Sequence, residues 1–443
     1  MSEKVPFRTR SAVAAGRLAA KTSQRLGKGE GMVVGGKVAL RLSPKAMTDL
    51  AGDRVEVLVS STNGKTSTTR LLATAVSQTG PVATQPTGAN MNDGILWALA
   101  NGPVGAPAIL EVDEAYLPGV VSATHPKIII FGNLSRDQLD RMNEVAILAR
   151  KWRTMLAANP DITVVANADD PIVAYAAEDA SNVVWVGAGQ VWTSDSSVCP
   201  GCGALLARDG SIWHCTGCDR IRPKTTWELD WTAGDQGQSG TGFAIGPDGT
   251  RYSLEGLQLP GRFNASNATL ALAACDQLDL DLNKAVELMN TVKAVSGRFA
   301  TVKVGELTIR LLLAKNPAGW SELVDIMPPA PTPVIITINS NAADGRDPSW
   351  LWDVPFEHLR GRTVIATGDR RHDLAVRLRH ANVDFVVVED PYAPNAQLPP
   401  GARELDVIDC AATYSAFHEL RTRADRELAS NKPGRGQREQ GVM

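Results

Sequence analysis

The chain has 443 residues, with 45 basic and 48 acidic side chains and a formal net charge of −3 at pH 7. So balanced a charge argues against a chain whose main task is to coat nucleic acid or an acidic surface. Apolar residues at 44% and charged residues at 21% suit a globular chain of two or three domains, and no apolar run approaches the roughly 20 residues of a membrane span.

Residues 1–30 carry Lys4, Arg8, Arg10, Arg17, Lys21, Arg25 and Lys28 against Glu3 and Glu30. No apolar stretch comes after them, so this is not a secretory signal. A basic, Ala-rich helix there suits a transit peptide, a surface helix that touches anionic lipid, or a solvated helix, and the solvated helix is favoured. Glycines at 27, 29, 31, 35 and 36 are expected to separate this helix from the first strand, within a lead-in over residues 1–50.

A central domain is expected over residues 51–300. The apolar residues 55–59 read as a strand, residues 60–69 as a Gly-Lys-Thr loop, and Leu71, Leu72 and Val76 as one side of a helix. Further strands are expected near 108–112, 127–131 and 162–166 with helices between them, the rhythm of a parallel α/β sheet. Residues 190–256 break this rhythm with four cysteines, several Trp and clustered Gly, and read as an inserted β-rich module. Helical patterns resume at 264–278 and 282–292. A smaller C-terminal α/β domain is expected over 301–420, with strands at 332–339, 363–367 and 385–389 and a helix at 373–380. Residues 421–443 read as a polar tail, and no internal repeat is found.

Strand, Gly-Lys-Thr loop and helix form a P-loop context, in which backbone N–H groups and a helix N-terminus cradle phosphates. Lys65 would place its ammonium on the β/γ-phosphates of ATP, and the Thr66 hydroxyl would ligate Mg²⁺. The usual pattern wants Gly five residues before Gly64, where this chain has Val59.

Cys199-Pro200-Gly201-Cys202 and Cys215-Thr216-Gly217-Cys218 form two knuckles. Four thiolates make a closed tetrahedral Zn²⁺ site, structural because no position is left open. Disulfides or an iron site are the alternatives. The module is not basic (Asp195, Asp209, Asp219, Glu228, Asp230 and Asp235), so nucleic acid is not its expected partner. Cys275 and Cys410 read as buried small hydrophobes. With four of the six cysteines assigned to metal, no Cys nucleophile with a Gly-rich elbow and a matching His is found.

Thr62-Asn63-Gly64-Lys65-Thr66-Ser67 resembles the P-loop of the Mur ligases, and more resemblances occur in the same order along the chain. Glu111, in Leu110-Glu111-Val112-Asp113-Glu114, resembles that family's strand-end Mg²⁺ ligand. Asn133 with Asp137, Gln138, Leu139 and Asp140 resembles its Asn…Asp-His-Leu-Asp segment. Asn167-Ala168-Asp169-Asp170 and the helix start Asn264, Asn267, Ala268 resemble two more of its segments, and Gly297-Arg298 its domain-closing pair. Gln138 departs from the family's His, and only about 50 residues precede the P-loop, too few for a substrate-nucleotide domain. The resemblance implies ATP contacts at Thr62, Asn63, Gly64, Lys65, Thr66, Ser67, Asn267 and Arg298, with Mg²⁺ on Thr66 and Glu111.

The zinc ribbon and the segments around Asn316, residues 341–353 and Arg370 resemble one branch, the MurT family of ligase subunits of lipid II isoglutaminyl synthases. That resemblance implies amidation of the D-glutamate α-carboxylate of lipid II through an acyl phosphate. It also implies ammonia delivered by a glutamine amidotransferase subunit, GatD, and a place at the inner face of the plasma membrane with peripheral membrane contact. An Asp of the ligase subunit would complete the partner's Cys–His pair: Asp347 is favoured, Asp353 is second and Asp344 a third candidate, against a helix-capping role. Asn316 and Arg370 are substrate-contact candidates, and Trp350 and Trp352 candidates for touching a partner. The alternatives are a Mur-type ligase that adds an amino acid, like folylpolyglutamate synthases, and a nucleic-acid-binding protein.

Overall fold

A computed structural model of the chain describes residues 5–26, 31–52, 54–136, 144–232, 240–293, 299–341 and 344–430. Two compact units divide between Ser296 and Gly297.

The first unit opens with α1 (Phe7–Arg25), α2 (Met32–Leu42) and α3 (Ala46–Ala51). It continues through β1 (Val55–Ser60), α4 (Lys65–Val76), α5 (Asn92–Asn101), β2 (Ala108–Glu111), α6 (Leu117–Thr124), β3 (Ile128–Phe131), α7 (Glu144–Ala157), β4 (Thr163–Asn167), α8 (Pro171–Ala177) and β5 (Asn182–Gly187). A hairpin of β6 (Leu206–Asp209) and β7 (Ile212–Cys215) precedes β8 (Trp227–Thr232), β9 (Thr241–Ile245), β10 (Arg251–Ser253), α9 (Arg262–Asp276) and α10 (Leu282–Met289).

Strands β1 to β4 are apolar and buried along nearly their whole length, as strands covered by helices on both faces must be. Alternation along β1 splits the core. Val57 and Val59 join Leu71 and Leu72 of α4, while Leu58 joins Ile95 and Leu96 of α5 on the opposite face. The sheet order is β10-β9-β8-β5-β4-β3-β1-β2, with β1 to β5 parallel. Strand β1 has β3 on one side and β2 on the other, so the chain order reverses at β1, and ligands of open α/β sheets bind beyond the strand ends at such a point.

Three expectations need correction. Gly35 and Gly36 are not a spacer. They lie inside α2, where a β-carbon on Gly35 would run into the Trp97 ring and one on Gly36 into the Asp93 backbone, so they let α2 lie close against α5. The inserted module does not reach residue 256, because β8 pairs with β5, and β9 and β10 extend the same main sheet. The part that leaves the sheet lies between β5 and β8. The polar tail does not start at 421, because the last helix runs through that point.

The second unit consists of β11 (Phe299–Val304), β12 (Leu307–Leu313), α11 (Pro317–Ile326), β13 (Val334–Thr337), β14 (Thr363–Thr367), α12 (Arg371–His380), β15 (Asp384–Val387), β16 (Ile408–Ala412) and α13 (Tyr414–Ser430). Its sheet order is β11-β12-β16-β13-β14-β15; β11 and β12 form an antiparallel hairpin, and every other pair is parallel. Among the described residues no helix is long and apolar enough to cross a membrane.

Candidate active site

The turn from β1 into α4 carries the Gly-Lys-Thr loop. Gly64 has φ +84°, in the left-handed region that a side chain disfavours. A β-carbon there would also collide with Asn267 Oδ1. Asn267 of α9 is thereby placed against the phosphate loop.

A second strand end holds the loop from behind. Thr62 N donates to the Asn133 carbonyl (2.8 Å) and Asn63 N to Asn133 Oδ1 (3.0 Å), while Asn133 Nδ2 donates back to the Asn63 carbonyl (3.1 Å). Ser135 N donates to Thr62 Oγ1 (3.1 Å), which donates to the Ser135 carbonyl (3.2 Å). These bonds hold the loop in one shape before any phosphate arrives.

Lys65 is buried at the start of α4. Its Nζ donates to the Ser61 carbonyl and lies 3.0 Å from Glu114 Oε2. Glu111 ends β2 and is also buried. Gln85 brackets its backbone, donating to the Glu111 carbonyl (2.7 Å) and accepting from Glu111 N (3.0 Å), and Asn90 Nδ2 donates to Glu111 Oε1 (3.1 Å). Thr66 and Glu111 converge: a β-carbon on Gly88 would sit 3.5 Å from Thr66 Oγ1 and 3.8 Å from Glu111 Oε1. A hydroxyl and a carboxylate aimed at one small space are the hard oxygen donors that Mg²⁺ prefers. Ser67, the next residue of the loop, is buried in the first turn of α4.

The four cysteines come together as expected, with all Sγ atoms within 4.8 Å of one another. The closest pairs are Cys202–Cys215 at 3.4 Å and Cys199–Cys218 at 3.8 Å. A tetrahedron with Zn–S bonds of about 2.3 Å needs sulfurs about 3.8 Å apart, so the donor set fits zinc. Gly203 (φ +78°) turns the first knuckle, and Gly217 N donates to Cys215 Sγ (3.3 Å) in the second. His214 is exposed and stands outside the cluster.

The cysteine hairpin is fastened to the turn after β4. Trp213 Nε1 donates to the Ala168 carbonyl (2.9 Å), and Arg222 Nε to Asp169 Oδ1 (2.7 Å). Asp170 joins that turn to the loop beyond β3. It accepts from Leu134 N (2.8 Å) and caps α8 through Ile172 N and Val173 N. Burial pushes the Asp170 carboxyl up to about 6, against the pull of these three N–H donors and of Arg208.

In the second unit the loops at the strand ends hold the remaining candidates. Asp344 is buried and spent on structure, accepting from Ser415 N (2.7 Å) and Asn341 N (3.0 Å). Asp347 is exposed and caps the short helical turn Pro348–Trp352 by accepting from Ser349 N (2.9 Å). That bond first, and Arg370 last, hold its carboxyl below its ordinary value. Asp353 is exposed at the end of the turn. Asn316 is fully buried and caps α11 through Gly319 N (3.0 Å), and Arg370 pairs with Asp373 (3.1 Å), so both have structural roles. Trp350 is buried against Trp320, which removes it from the partner candidates, while Trp352 is 55% exposed. Arg298 and Gln138 lie outside the described residues.

Sequence reasoning missed Glu114 and Asn90. Glu114 stands in the strand-end segment 110–114, but only the place of Lys65 in the fold shows that the two face each other.

Comparison with known proteins agrees with this geometry. The Mur ligase middle domain matches residues 59–195, and the MurT ligase C-terminal domain matches residues 313–417. Among solved structures, the fold is similar to a pseudomurein peptide ligase type C from Methanothermus fervidus (TM-score 0.61, 18% identity, 88% of this chain and 84% of that one). It is similar also to MurF from Acinetobacter baumannii (TM-score 0.63, 14% identity, 89% and 81%). Fold and phosphate loop together are similar to those of the Mur-type ATP-dependent ligases.

Within that class the chain is similar to MurT subunits. It is 29% identical over 447 residues to the MurT subunit of the glutamine-hydrolyzing lipid II isoglutaminyl synthase of Streptococcus pneumoniae, covering 94% of this chain and 96% of that one. It is 29% identical over 418 residues to the MurT subunit from Staphylococcus aureus strain N315, covering 87% and 92%.

Proposed function

We propose that this chain amidates the α-carboxylate of D-glutamate in the stem peptide of lipid II, with ATP as activator and ammonia as nucleophile. The observation that carries the activation step is the convergence of Thr66 Oγ1 and Glu111 Oε1 beside a preformed phosphate loop. A carboxylate is a poor electrophile. Transfer of the γ-phosphoryl group of ATP to one of its oxygens gives an acyl phosphate and ADP; ammonia then forms the C–N bond as phosphate leaves with the C–O electron pair. Lys65 places positive charge against the transferred phosphoryl, and the N–H groups at the start of α4 line the phosphate path. Mg²⁺, held by Thr66 and Glu111, supplies further neutralisation of the phosphates when bound. Asn267, Arg298 and the residues 62–67 complete the nucleotide contacts in this reading.

The acceptor and the nitrogen source rest on the MurT relatives, which are subunits of a glutamine-hydrolyzing lipid II isoglutaminyl synthase. We take the partner to be a glutamine amidotransferase subunit of the GatD kind, with Asp347 of this chain serving its active site, and the place of work to be the cytoplasmic face of the plasma membrane. Four of the six cysteines lie in the metal cluster, and Cys275 and Cys410 are buried with their thiols pushed upward by burial, so neither suits a glutamine-hydrolysing nucleophile.

The test is ADP release with lipid II and ammonium chloride, without any partner protein, beside a Lys65→Ala control. Lipid-dependent ADP release that requires Lys65, with an amide gained by the lipid, is the expected result. Turnover triggered by glutamate or another amino acid, and not by ammonia, overturns the reading in favour of an amino-acid-adding ligase.

A further inference from the structure

Helix α1 has two different long faces. Thr9, Ala12, Val13, Gly16, Ala20 and Ser23 are buried on one of them. Gly16 meets the backbone of Gly35 in α2, so this inner face is occupied. The opposite face carries Phe7, Ala14, Leu18, Lys21 and Arg25, at helical spacings of 7, 4, 3 and 4 residues, with Arg10 beside them. Phe7 is 76% exposed and Leu18 69%, and Leu26 just past the helix is 65% exposed. Nothing among the described residues covers them.

The charge on this face is one-sided. Helix α1 holds Arg8, Arg10, Arg17, Lys21 and Arg25, α2 adds Lys37 and Arg41, and neither helix contains an acid. Asp49, the first acid after them, is engaged by the Thr9 hydroxyl, and Glu3 and Glu30 lie outside the described residues. Two of the cations tie the helices to the unit: Arg8 Nε donates to the Leu42 carbonyl (3.1 Å), and Arg17 Nη2 to the Ala100 carbonyl (2.7 Å). Arg10, Lys21 and Arg25 project with Phe7 and Leu18. The chain as a whole is acidic, at −3, so this cluster is a local excess of positive charge.

We propose that the outer face of α1 is a docking surface for an anionic phospholipid bilayer. Phe7, Leu18 and Leu26 enter the headgroup region, and Arg10, Lys21 and Arg25 meet lipid phosphates. A helix lying in the interface needs apolar anchors on one stripe and cations flanking them, which is the arrangement here. Charge complementarity favours lipid over a second copy of this chain, since the same basic face on a copy would repel it. The surface goes beyond the ligase reading and would stand whatever the chain's acceptor.

The experiment is co-sedimentation of the full chain with phosphatidylglycerol–phosphatidylcholine vesicles and, in parallel, with pure phosphatidylcholine vesicles, neither containing lipid II. The wild type is expected to bind the anionic vesicles, to prefer them strongly, and to lose binding as salt rises. The triple variant Arg10→Glu, Lys21→Glu, Arg25→Glu should lower the partition coefficient at least about tenfold. The double variant Phe7→Ser, Leu18→Ser should lower it as well. Both variants change exposed positions, so their melting curves and their ammonia-dependent turnover of a detergent-solubilised acceptor should match the wild type. Failure of the wild type to bind, or equal binding by the triple variant, overturns the proposal. So does loss of affinity for the amidotransferase subunit in the same variants with vesicle binding intact, which would make this face a subunit interface. Failure of the ligase reading would appear only in the turnover assay.

Discussion

Lys65 Nζ and Glu114 Oε2 stand 3.0 Å apart in a largely buried pair behind the phosphate loop, and the Ser61 carbonyl accepts a second bond from the same ammonium. The ammonium is thus held in place before nucleotide binds. Removing one member of such a pair leaves the other charge buried and alone, at a cost on the order of 3 kcal/mol, whereas replacing both is much less damaging. Lys65→Met should therefore lower both stability and ATP-dependent turnover, the latter at least about a hundredfold. Lys65→Met combined with Glu114→Gln should recover most of the melting temperature and none of the activity. A double variant as unstable as the single one would mean that the pair is not coupled.

Chelation or a Cys202→Ser change should remove one zinc per chain, read by metal analysis, and release the hairpin of β6 and β7. Folding and metal binding share one free energy in a site of this kind. Trp213 and Arg222 tie the hairpin to Ala168 and Asp169, so the loss should reach the turn after β4. We expect a melting temperature lowered by several degrees and weaker ATP binding, with zinc restoring both in the chelated protein. Unchanged ATP affinity in the metal-free protein would show that the turn keeps its shape without the hairpin.

Asp170 gives stability a pH dependence of definite sign. Its carboxyl titrates at about 6 in the folded chain against an ordinary 3.8, because burial disfavours the charged form. The folded state then binds the proton more tightly than the unfolded state. The contribution to stability is full below the ordinary value and is lost as pH rises through about 6, by a total of about 3 kcal/mol. Asp170→Asn keeps an oxygen for Ile172 N and Val173 N without the charge, and gives up the acceptor for Leu134 N. Its melting temperature should lack this downward step, whatever the lost bond to Leu134 N does to its overall level. A step of the same size in the variant would assign the titration to another group.

The phosphate loop and the cysteine cluster were legible because each is local. Strand, loop and helix around Gly64 are contiguous in the chain, and both knuckles have a fixed spacing. The partners of the loop were not legible. Asn133 and Ser135 reach Thr62 and Asn63 only because β3 pairs with β1 in a particular register, and Glu114 reaches Lys65 only because β2 lies on the other side of β1. Glycine misled for a similar reason: Gly35 and Gly36 punctuate no turn and instead admit Trp97 and the backbone of α5. Strands β8 to β10 read as part of the cysteine module because clustered Gly and Trp hid the pairing that joins them, through β8, to β5.

A change at Asp347 is expected to separate the two nitrogen sources of the proposed reaction. Its side chain accepts from Ser349 N and is held below its ordinary pKa, so it is charged at neutral pH, as a group that steadies an imidazolium must be. Asp347→Asn keeps an oxygen for the Ser349 N–H, so the turn of Pro348–Trp352 should hold its shape and the melting curve should not move. Turnover with ammonium chloride should persist, because the phosphate loop, Thr66 and Glu111 are untouched. Turnover with glutamine and the amidotransferase subunit should fall by a factor on the order of 10³ or more. Asp353→Asn, at the other end of the same turn, is the matched control. If that variant loses glutamine-dependent turnover while Asp347→Asn keeps it, the role passes to Asp353, and Asp347 is left with the cap that its bond to Ser349 already describes.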